Sequence, residues 1–104
     1  MKRYLVLIAA FTTGVVVTTP SMADMALATA KNCTSCHAVD KKVLGPSYKE
    51  VATKYAGQAD AVDKLAGKIM KGGAGAWGPV PMPANAQVSA DEAKKLVAWI
   101  LTLK

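Results

Sequence analysis

The chain has 104 residues, of which 13 are basic and 7 acidic, and its formal net charge is +6. This length leaves room for one domain, so any activity has to come from a single small core. A positive net charge makes nucleic acid and anionic lipid candidate partners. An export signal at the N-terminus argues against nucleic acid, and the lack of a basic amphipathic helix with a large apolar face argues against lipid.

The N-terminus predicts a secretory signal over residues 1–23. A basic start is followed by an apolar run from Leu5 to Val17 and by small residues at Ser21 and Ala23, which suit signal peptidase. The alternative is a transmembrane anchor, but this run of 13 residues falls short of the ~20 apolar residues that a bilayer requires. We therefore expect cleavage after Ala23 and a periplasmic mature protein, residues 24–104, without stable membrane insertion.

Removal of the leader leaves a basic domain with few large apolar side chains. Eleven of the 13 basic residues remain against 7 acidic ones, so the formal charge becomes +4. A domain of this size with so thin a core usually needs a disulfide, a metal or another embedded group. The composition therefore predicts that something besides side chains fills the middle of the domain.

Helix start and stop signals predict four helices in the mature domain, joined by glycine and proline. Two of the starts are capping boxes of the form S-x-x-E, which satisfy backbone N–H groups at a helix N-terminus. Aspartates cap the other two helices, and glycines end the second and the third. The predicted helices are Asp24 to Lys31, Ser47 to Gly57, Asp60 to Gly72, and Ser89 onward.

Apolar spacing supports an all-α fold class with about four helices. Apolar residues recur at helical spacing, and nowhere do they alternate for long enough to predict a strand. The stretch from Gly72 to Val88 is too rich in Gly and Pro for a helix and too apolar for a solvated linker, so we expect it to pack against something. The helical apolar positions are Val62, Leu65, Ala66 and Ile69, then Ala93, Leu96, Val97, Ile100 and Leu101, with Trp99 on a neighbouring stripe.

The segment C-T-S-C-H, residues 33–37, contains both cysteines and the only histidine of the chain. Structural zinc would need four ligands, and the chain has no second Cys/His pair. A thioredoxin-like disulfide expects a βαβ context that the mature sequence lacks. In covalent haem attachment, the two thiols of C-x-x-C-H form thioethers to the porphyrin and the histidine binds the iron. We therefore predict one covalent haem c, attached through Cys33 and Cys36, with His37 on the iron.

The second axial position of the iron separates an electron carrier from an enzyme or a gas binder. Because there is no second histidine, the candidates are methionines. Met25 lies near the first helix start and Met70 at a helical core position, whereas Met82 lies between two prolines. Prolines stiffen a loop and hold a thioether in place at little ordering cost. We predict His37 and Met82 as the metal ligands; the alternative is that Met82 is a loop residue covering the core.

Four features together resemble the short class I cytochromes c of bacterial periplasms. They are C-T-S-C-H, Leu44-Gly45-Pro46, the run Trp77-Gly78-Pro79-Val80-Pro81-Met82-Pro83-Ala84-Asn85, and a terminal helix with Trp99. The resemblance covers Asp24 to Lys104, and the tryptophan-to-asparagine loop is specific to this short group. It implies a small fold wrapped around one haem, in a protein that donates electrons to nitrite reductase or a terminal oxidase.

The resemblance also implies roles for three residues around the haem. The Pro46 carbonyl would accept a hydrogen bond from His37 Nδ1. Trp77 would donate its indole N–H to a haem propionate, and Asn85 would hydrogen-bond near the methionine sulfur. The alternatives are a turn proline, a packing aromatic and a polar residue beside a helix. Relatives often carry a bulky aromatic in the first helix, where this chain has Ala28, which leaves the packing of that helix open.

Two filled axial positions suit a one-electron carrier rather than an enzyme, because the iron changes oxidation state without gaining or losing a ligand. We expect a monomer that takes electrons from a quinol-oxidising complex and delivers them to a terminal acceptor. The rival classes are a haem enzyme or ligand sensor that lacks the Met82 bond, and a thiol oxidoreductase that uses Cys33 and Cys36.

A basic rim around the haem edge would attract redox partners with acidic docking surfaces. The alternative for any single lysine is a solvated surface residue. The lysines close to the haem-binding segments in sequence are Lys31, Lys41, Lys42, Lys49 and Lys71.

Overall fold

The computed structural model describes residues 9–15 and 20–103, which form four helices and a short β-hairpin. The predominantly helical fold predicted from the sequence is confirmed. Residues 1–8 and 16–19 of the predicted leader lie outside the described residues, residues 9–15 have no regular secondary structure, and residues 20–23 belong to the first helix. Cleavage after Ala23 stays a prediction. Within the described part of the chain, no helix is both long and apolar enough to span a bilayer. The elements are α1 (Pro20–Ala30), α2 (Tyr48–Lys54), α3 (Ala61–Lys71), β1 (Gly73–Gly75), β2 (Gly78–Met82) and α4 (Ala90–Ile100).

Helices α2 and α4 begin with the two predicted capping boxes. At α2, the Glu50 N–H donates to Ser47 Oγ at 3.1 Å, and the Ser47 N–H donates to the Glu50 carboxylate at 2.8 Å. At α4, Ser89 and Glu92 make the same pair of bonds at 3.2 and 3.1 Å. Each box satisfies two N–H groups that a helix start leaves without partners. The local sequence therefore determines where these two helices begin.

The aspartate caps predicted for α1 and α3 do not form. Helix α1 begins earlier, at Pro20, a residue suited to a first helical turn, so the predicted Asp24 cap is wrong. Asp24 lies inside the helix, 8% exposed, with Oδ1 3.9 Å from Lys95 Nζ. Asp60 occupies the N-cap position of α3, but among the described residues its side chain makes no capping hydrogen bond. Its φ of −94° and ψ of 4° lie outside the extended region typical of capping residues.

The expectation of no strand is wrong for the segment that follows α3. Strands β1 and β2 pair antiparallel, with Gly73 opposite Met82 and Gly75 opposite Gly78. Their sequences, GAG and GPVPM, carry no alternation of apolar and polar residues, so the pairing depends on backbone groups. Gly72 has a φ of 72°, which favours glycine, and it turns the chain out of α3 into the hairpin. The hairpin thereby returns Met82 to the end of α3.

The core is organised around α4, which packs against the other three helices. Leu96 and Val97 are each 1% exposed, so the predicted apolar face of α4 is its buried face. Trp99 is also buried, and its ring meets the Tyr48 ring edge to face, with centroids 5.4 Å apart. Two aromatic rings therefore extend the core from α4 to the start of α2.

Small side chains are found where α1 packs on α4. Ala28 is 1% exposed and Ala93 is fully buried, and both belong to one cluster with Leu96. Because an alanine occupies a position with almost no free surface, the helices are packed closely there. The packing of α1 that the sequence left open is thus a direct contact with the terminal helix.

We expect Ala28→Phe to destabilise the protein by about 1–3 kcal/mol, because a ring added to a packed interface displaces its neighbours. Ala26 lies on the same helix but is exposed. The same substitution there should change the free energy of unfolding by less than about 0.5 kcal/mol. Denaturant unfolding measures both variants. Equal effects at the two positions would show that the interface has room for a ring.

Candidate haem-binding site

The C-x-x-C-H segment forms a tight turn directly after α1. Cys33–Ser35 form one 3₁₀ turn, and the N–H groups of Cys36 and His37 donate to the Cys33 carbonyl at 3.2 and 3.0 Å. Asn32 enters the turn with a φ of 64°, a left-handed conformation that asparagine tolerates better than most residues. The two thiols and the imidazole consequently line the same cavity.

Two residues hold the His37 ring. Its Nδ1 donates to the Pro46 carbonyl oxygen at 2.7 Å, which is the hydrogen bond implied by the resemblance. Because a carbonyl only accepts, Nδ1 carries the proton and Nε2 keeps a lone pair free to bind a metal. The ring also lies against Gly45, where a Cβ would sit 2.8 Å from Nδ1 and 3.1 Å from Nε2. Only glycine fits this position without moving the imidazole.

Tyr48 packs against the histidine, a contact that the sequence analysis missed. Its ring stacks on His37 with centroids 5.5 Å apart and planes inclined by 24°. Its hydroxyl is buried and has no hydrogen-bond partner among the described residues. Burial, and secondarily the nearby Cys33, raises the pKa of Tyr48, and burial likewise raises the pKa of the Cys33 thiol. The surroundings of the turn therefore favour uncharged groups.

A cavity of about 690 Å³ opens beside the turn. This volume falls within the roughly 300–1,000 Å³ typical of cofactor and ligand sites. Its wall is mostly apolar and comes from α2, α3, the hairpin and α4. The apolar wall includes Val51, Tyr55, Leu65, Ile69, Val97 and Ile100. The embedded group that we predicted from the small number of large apolar side chains would occupy this cavity.

Met82 lines the cavity, whereas Met25 and Met70 pack against the core outside the described cavity wall. The Met82 loop passes close to the end of α3. A Cβ at Gly72 would lie 2.8 Å from the Ala84 nitrogen and in contact with the Met82 carbonyl oxygen. Of the three candidate methionines, Met82 is thus the one that lines the same cavity as His37.

Asn85 anchors the far side of the methionine loop to α3. Its Nδ2 donates to the Ile69 carbonyl at 2.8 Å and to the Pro83 carbonyl at 3.3 Å. Its backbone N–H also donates to the Ile69 carbonyl, at 3.2 Å. Both donors are directed at carbonyl oxygens here, so a hydrogen bond near the Met82 sulfur stays a prediction.

Trp77 lines the cavity and remains 41% exposed. Lys54 Nζ lies 4.3 Å from the centroid of the Trp77 ring, within cation–π range, and donates to the Ala76 carbonyl at 2.7 Å. The sequence does not indicate this contact, because Lys54 lies on α2 and Trp77 in the hairpin turn. The predicted hydrogen bond from the indole to a haem propionate stays a prediction.

The structure places one of the five predicted rim lysines at the cavity, and the rim itself stays a prediction. Lys42 lines the cavity, and so does Lys68, which the sequence analysis did not select. Lys31 and Lys49 instead form ion pairs of 3.2 and 2.6 Å with carboxylates. Long side chains pair with whichever charge the fold places beside them, and proximity in sequence does not show this. The predicted rim lysines outside the described cavity wall are Lys31, Lys41, Lys49 and Lys71.

The donor set at the cavity fits a covalently attached haem. Cys33 and Cys36 would form the thioethers, and His37, with its Nε2 lone pair, would supply one axial ligand. Met82 would supply a soft sulfur ligand from the hairpin, and the apolar wall suits a porphyrin. Together these features define a small c-type haem protein.

Comparison with known proteins agrees with this class. The family model for cytochrome c matches residues 25–104. Cytochrome c-551 of Allochromatium vinosum is 50% identical over 91 residues, 88% of this chain and 97% of the relative. Cytochrome c-552 of Hydrogenobacter thermophilus is 47% identical over 104 residues, the full length of both. The crystal structure of Nitrosomonas europaea cytochrome c552 matches with a TM-score of 0.75 at 52% identity, covering 77% of this chain and 99% of that one.

The chain belongs to the cytochrome c family, a family of electron carriers, and binds haem c covalently. The resemblance stated from the sequence is therefore confirmed, as is the predicted cofactor. The match also separates the interpretations left open for the two cysteines, because it favours haem attachment over zinc or a redox disulfide.

Proposed function

We propose that the protein is a periplasmic one-electron carrier with His37 and Met82 as its axial ligands. It would take electrons from a quinol-oxidising complex and deliver them to a terminal acceptor such as nitrite reductase or an oxidase. The observation that carries this proposal is that both side chains line one cavity. His37 is also held by its hydrogen bond to the Pro46 carbonyl, and the Met82 loop packs closely on Gly72.

When bound, the haem supplies a one-electron couple at its iron. The role of the protein would be to keep His37 and Met82 in place while the charge of the iron changes. The 2.7 Å bond to Pro46 fixes the histidine tautomer and raises the basicity of the ring. A neutral sulfur ligand and an apolar wall favour the reduced state, so the potential should be high for a haem protein.

We propose that the protein has no enzymatic activity of its own. With His37 and Met82 as its ligands, the iron would have no open position at which a substrate or a gas could react. A haem enzyme or a ligand sensor would need Met82 to leave. The role of the chain would then be limited to carrying the electron and docking with its partners.

An absorption spectrum of the exported protein, with carbon monoxide added to the reduced form, tests this proposal. A low-spin spectrum that carbon monoxide does not change supports the carrier. Rapid carbon monoxide binding would identify an enzyme or sensor, and absence of a haem band would leave a thiol oxidoreductase. Intact mass of the same sample checks cleavage after Ala23 and the attachment of one haem. A mass that includes residues 1–23 would contradict the predicted processing.

An exposed apolar patch at the mouth of the cavity is the proposed docking surface for redox partners. Val43, Leu44 and Val80 line the cavity, and the parts of these side chains that the haem would leave uncovered would form this patch. Lys42 and Lys68 line the same cavity and would attract an acidic partner. Apolar contact with a few flanking charges suits a brief encounter, in which charge mainly raises the association rate.

Lys42→Gln should slow electron transfer to an acidic partner at low salt, by roughly two- to fivefold, because a docking charge is lost. The difference from wild type should disappear as salt rises, since the Debye length is ~10 Å at 0.1 M. Stopped-flow oxidation at a series of ionic strengths measures the rates. Lys94→Gln is the control, because Lys94 lies on α4 and pairs with Asp63 at 3.9 Å. Equal slowing by both variants would show that overall charge, and not Lys42, guides docking.

A further inference from the structure

Asn85 and Gln87 make hydrogen bonds to parts of the molecule that are distant in sequence. Lys31 Nζ donates to the Gln87 carbonyl at 2.9 Å, and Gln87 Nε2 donates back to the Lys31 carbonyl at 3.3 Å. These two bonds join the end of α1, just before Cys33, to the loop between β2 and α4. We call Lys31, Asn85 and Gln87 the clasp.

Gln87 also sets the orientation of the Asn85 amide. Its Nε2 donates to Asn85 Oδ1 at 3.2 Å, which occupies the accepting side of that amide. The donating side, Nδ2, then faces the Ile69 carbonyl at 2.8 Å. A continuous series of hydrogen bonds therefore runs from Lys31, two residues before Cys33, through Gln87 and Asn85, to the end of α3.

Glu92 holds Lys31 in this position. Its carboxylate lies 3.2 Å from Lys31 Nζ, and the lysine side chain is only 23% exposed. The backbone of Ser89, and then Lys31, keep the pKa of Glu92 below its usual range, so the carboxylate is charged at neutral pH. The Lys31 ammonium thus makes its contacts within the molecule.

We propose that Gln87 is a positioning residue for Met82 and acts through Asn85, so that the clasp couples the haem-attachment turn to the methionine loop. The inference rests on the proposed function, because it takes Met82 as an axial ligand. Without the Gln87 side chain, the Asn85 amide loses the partner of its Oδ1 and is oriented only by its Nδ2 bonds to the Ile69 and Pro83 carbonyls. The loop is then held to α3 less firmly, and Met82 leaves its ligand position more often.

Imidazole binding to the oxidised haem protein carrying Gln87→Ala tests the clasp. Added imidazole has to displace Met82, so its binding rate reports how often the loop opens. We expect a rise of about fivefold, the effect of losing roughly one net hydrogen bond. The Asn85 backbone N–H, which donates to the Ile69 carbonyl, should also exchange with solvent faster. A binding rate and an exchange rate equal to those of wild type would overturn the inference.

Two matched variants separate the clasp from other effects. Gln58→Ala removes an exposed glutamine whose Nε2 also donates to a backbone carbonyl, that of Lys54 at 3.3 Å, away from the loop. It should bind imidazole at the wild-type rate. Ala28→Phe lowers stability at the interface of α1 and α4, so it gives the change in rate that stability alone produces. If Ala28→Phe, at equal loss of stability, speeds imidazole binding as much as Gln87→Ala, the positioning role is refuted.

Met82→Ala distinguishes failure of this inference from failure of the proposed function. If Met82→Ala keeps a low-spin spectrum, the ligand assignment is wrong and both proposals fall. If Met82→Ala becomes high-spin while Gln87→Ala behaves like Gln58→Ala, only the clasp fails. High-spin Met82→Ala together with faster imidazole binding in Gln87→Ala supports both.

Discussion

Met82→Ala should give a reduced protein that binds carbon monoxide rapidly, which we do not expect of the wild type. Loss of the thioether leaves one axial position open, so we expect a high-spin spectrum and rapid binding of carbon monoxide to the reduced protein. The reduction potential should fall by roughly 0.1–0.3 V, part of the ~0.8 V range over which axial ligands set haem potentials. Absorption spectroscopy and a redox titration measure the two effects.

Met70→Leu is the matched control for Met82→Ala. Met70 packs against the core from α3 outside the described cavity wall, and leucine has a similar volume. Its spectrum and potential should equal those of wild type. If Met70→Leu gave the high-spin spectrum and Met82→Ala did not, the axial ligand would be the helical methionine.

Features that depend on a few adjacent residues were predictable from the sequence. The capping boxes at Ser47 and Ser89 form as predicted, because each needs only two side chains and the backbone between them. The C-x-x-C-H turn is also largely local, since the N–H groups of Cys36 and His37 both donate to the Cys33 carbonyl. The chemistry of the attachment site therefore follows from these five residues alone.

Features that depend on distant partners were not predictable. The hairpin pairs glycine- and proline-rich segments whose side chains carry no strand signal. Lys31 was predicted to face redox partners, but it pairs with Glu92 and Gln87, residues that the fold brings to it. A sequence shows which charges are present, whereas only the fold shows which of them are already paired.

Gly45 illustrates a residue whose importance the sequence indicated only indirectly. It lies in the Leu44-Gly45-Pro46 run, where the sequence drew attention to the proline carbonyl. The fold places the His37 ring directly against Gly45, and the Gly45 N–H donates to the Cys36 carbonyl at 2.8 Å. A close approach between a backbone and a ring leaves no trace in apolar spacing, so only the three-dimensional packing reveals it.

We expect Gly45→Ala to be severely damaging, with a loss of roughly 3 kcal/mol in the free energy of unfolding. The new Cβ would lie 2.8 Å from His37 Nδ1, so either the ring or the backbone has to move. Movement of the ring breaks its 2.7 Å bond to the Pro46 carbonyl and displaces the predicted axial nitrogen. Denaturant unfolding and the absorption spectrum of the haem protein measure the two consequences.

Gly67→Ala provides a control of opposite sign. The φ of Gly45 lies outside the left-handed region, so the loss of stability expected for Gly45→Ala comes from the steric clash with His37. At Gly67 the same methyl group meets no such neighbour. Gly67 is in the middle of α3, and apart from the adjoining backbone of that helix no atom of the described residues lies within 4 Å of a Cβ built there. Alanine should stabilise that helix by roughly 0.5–1 kcal/mol and leave the spectrum unchanged. If Gly45→Ala were as stable as Gly67→Ala and kept a low-spin spectrum, the close packing of Gly45 on His37 would not be what holds the imidazole.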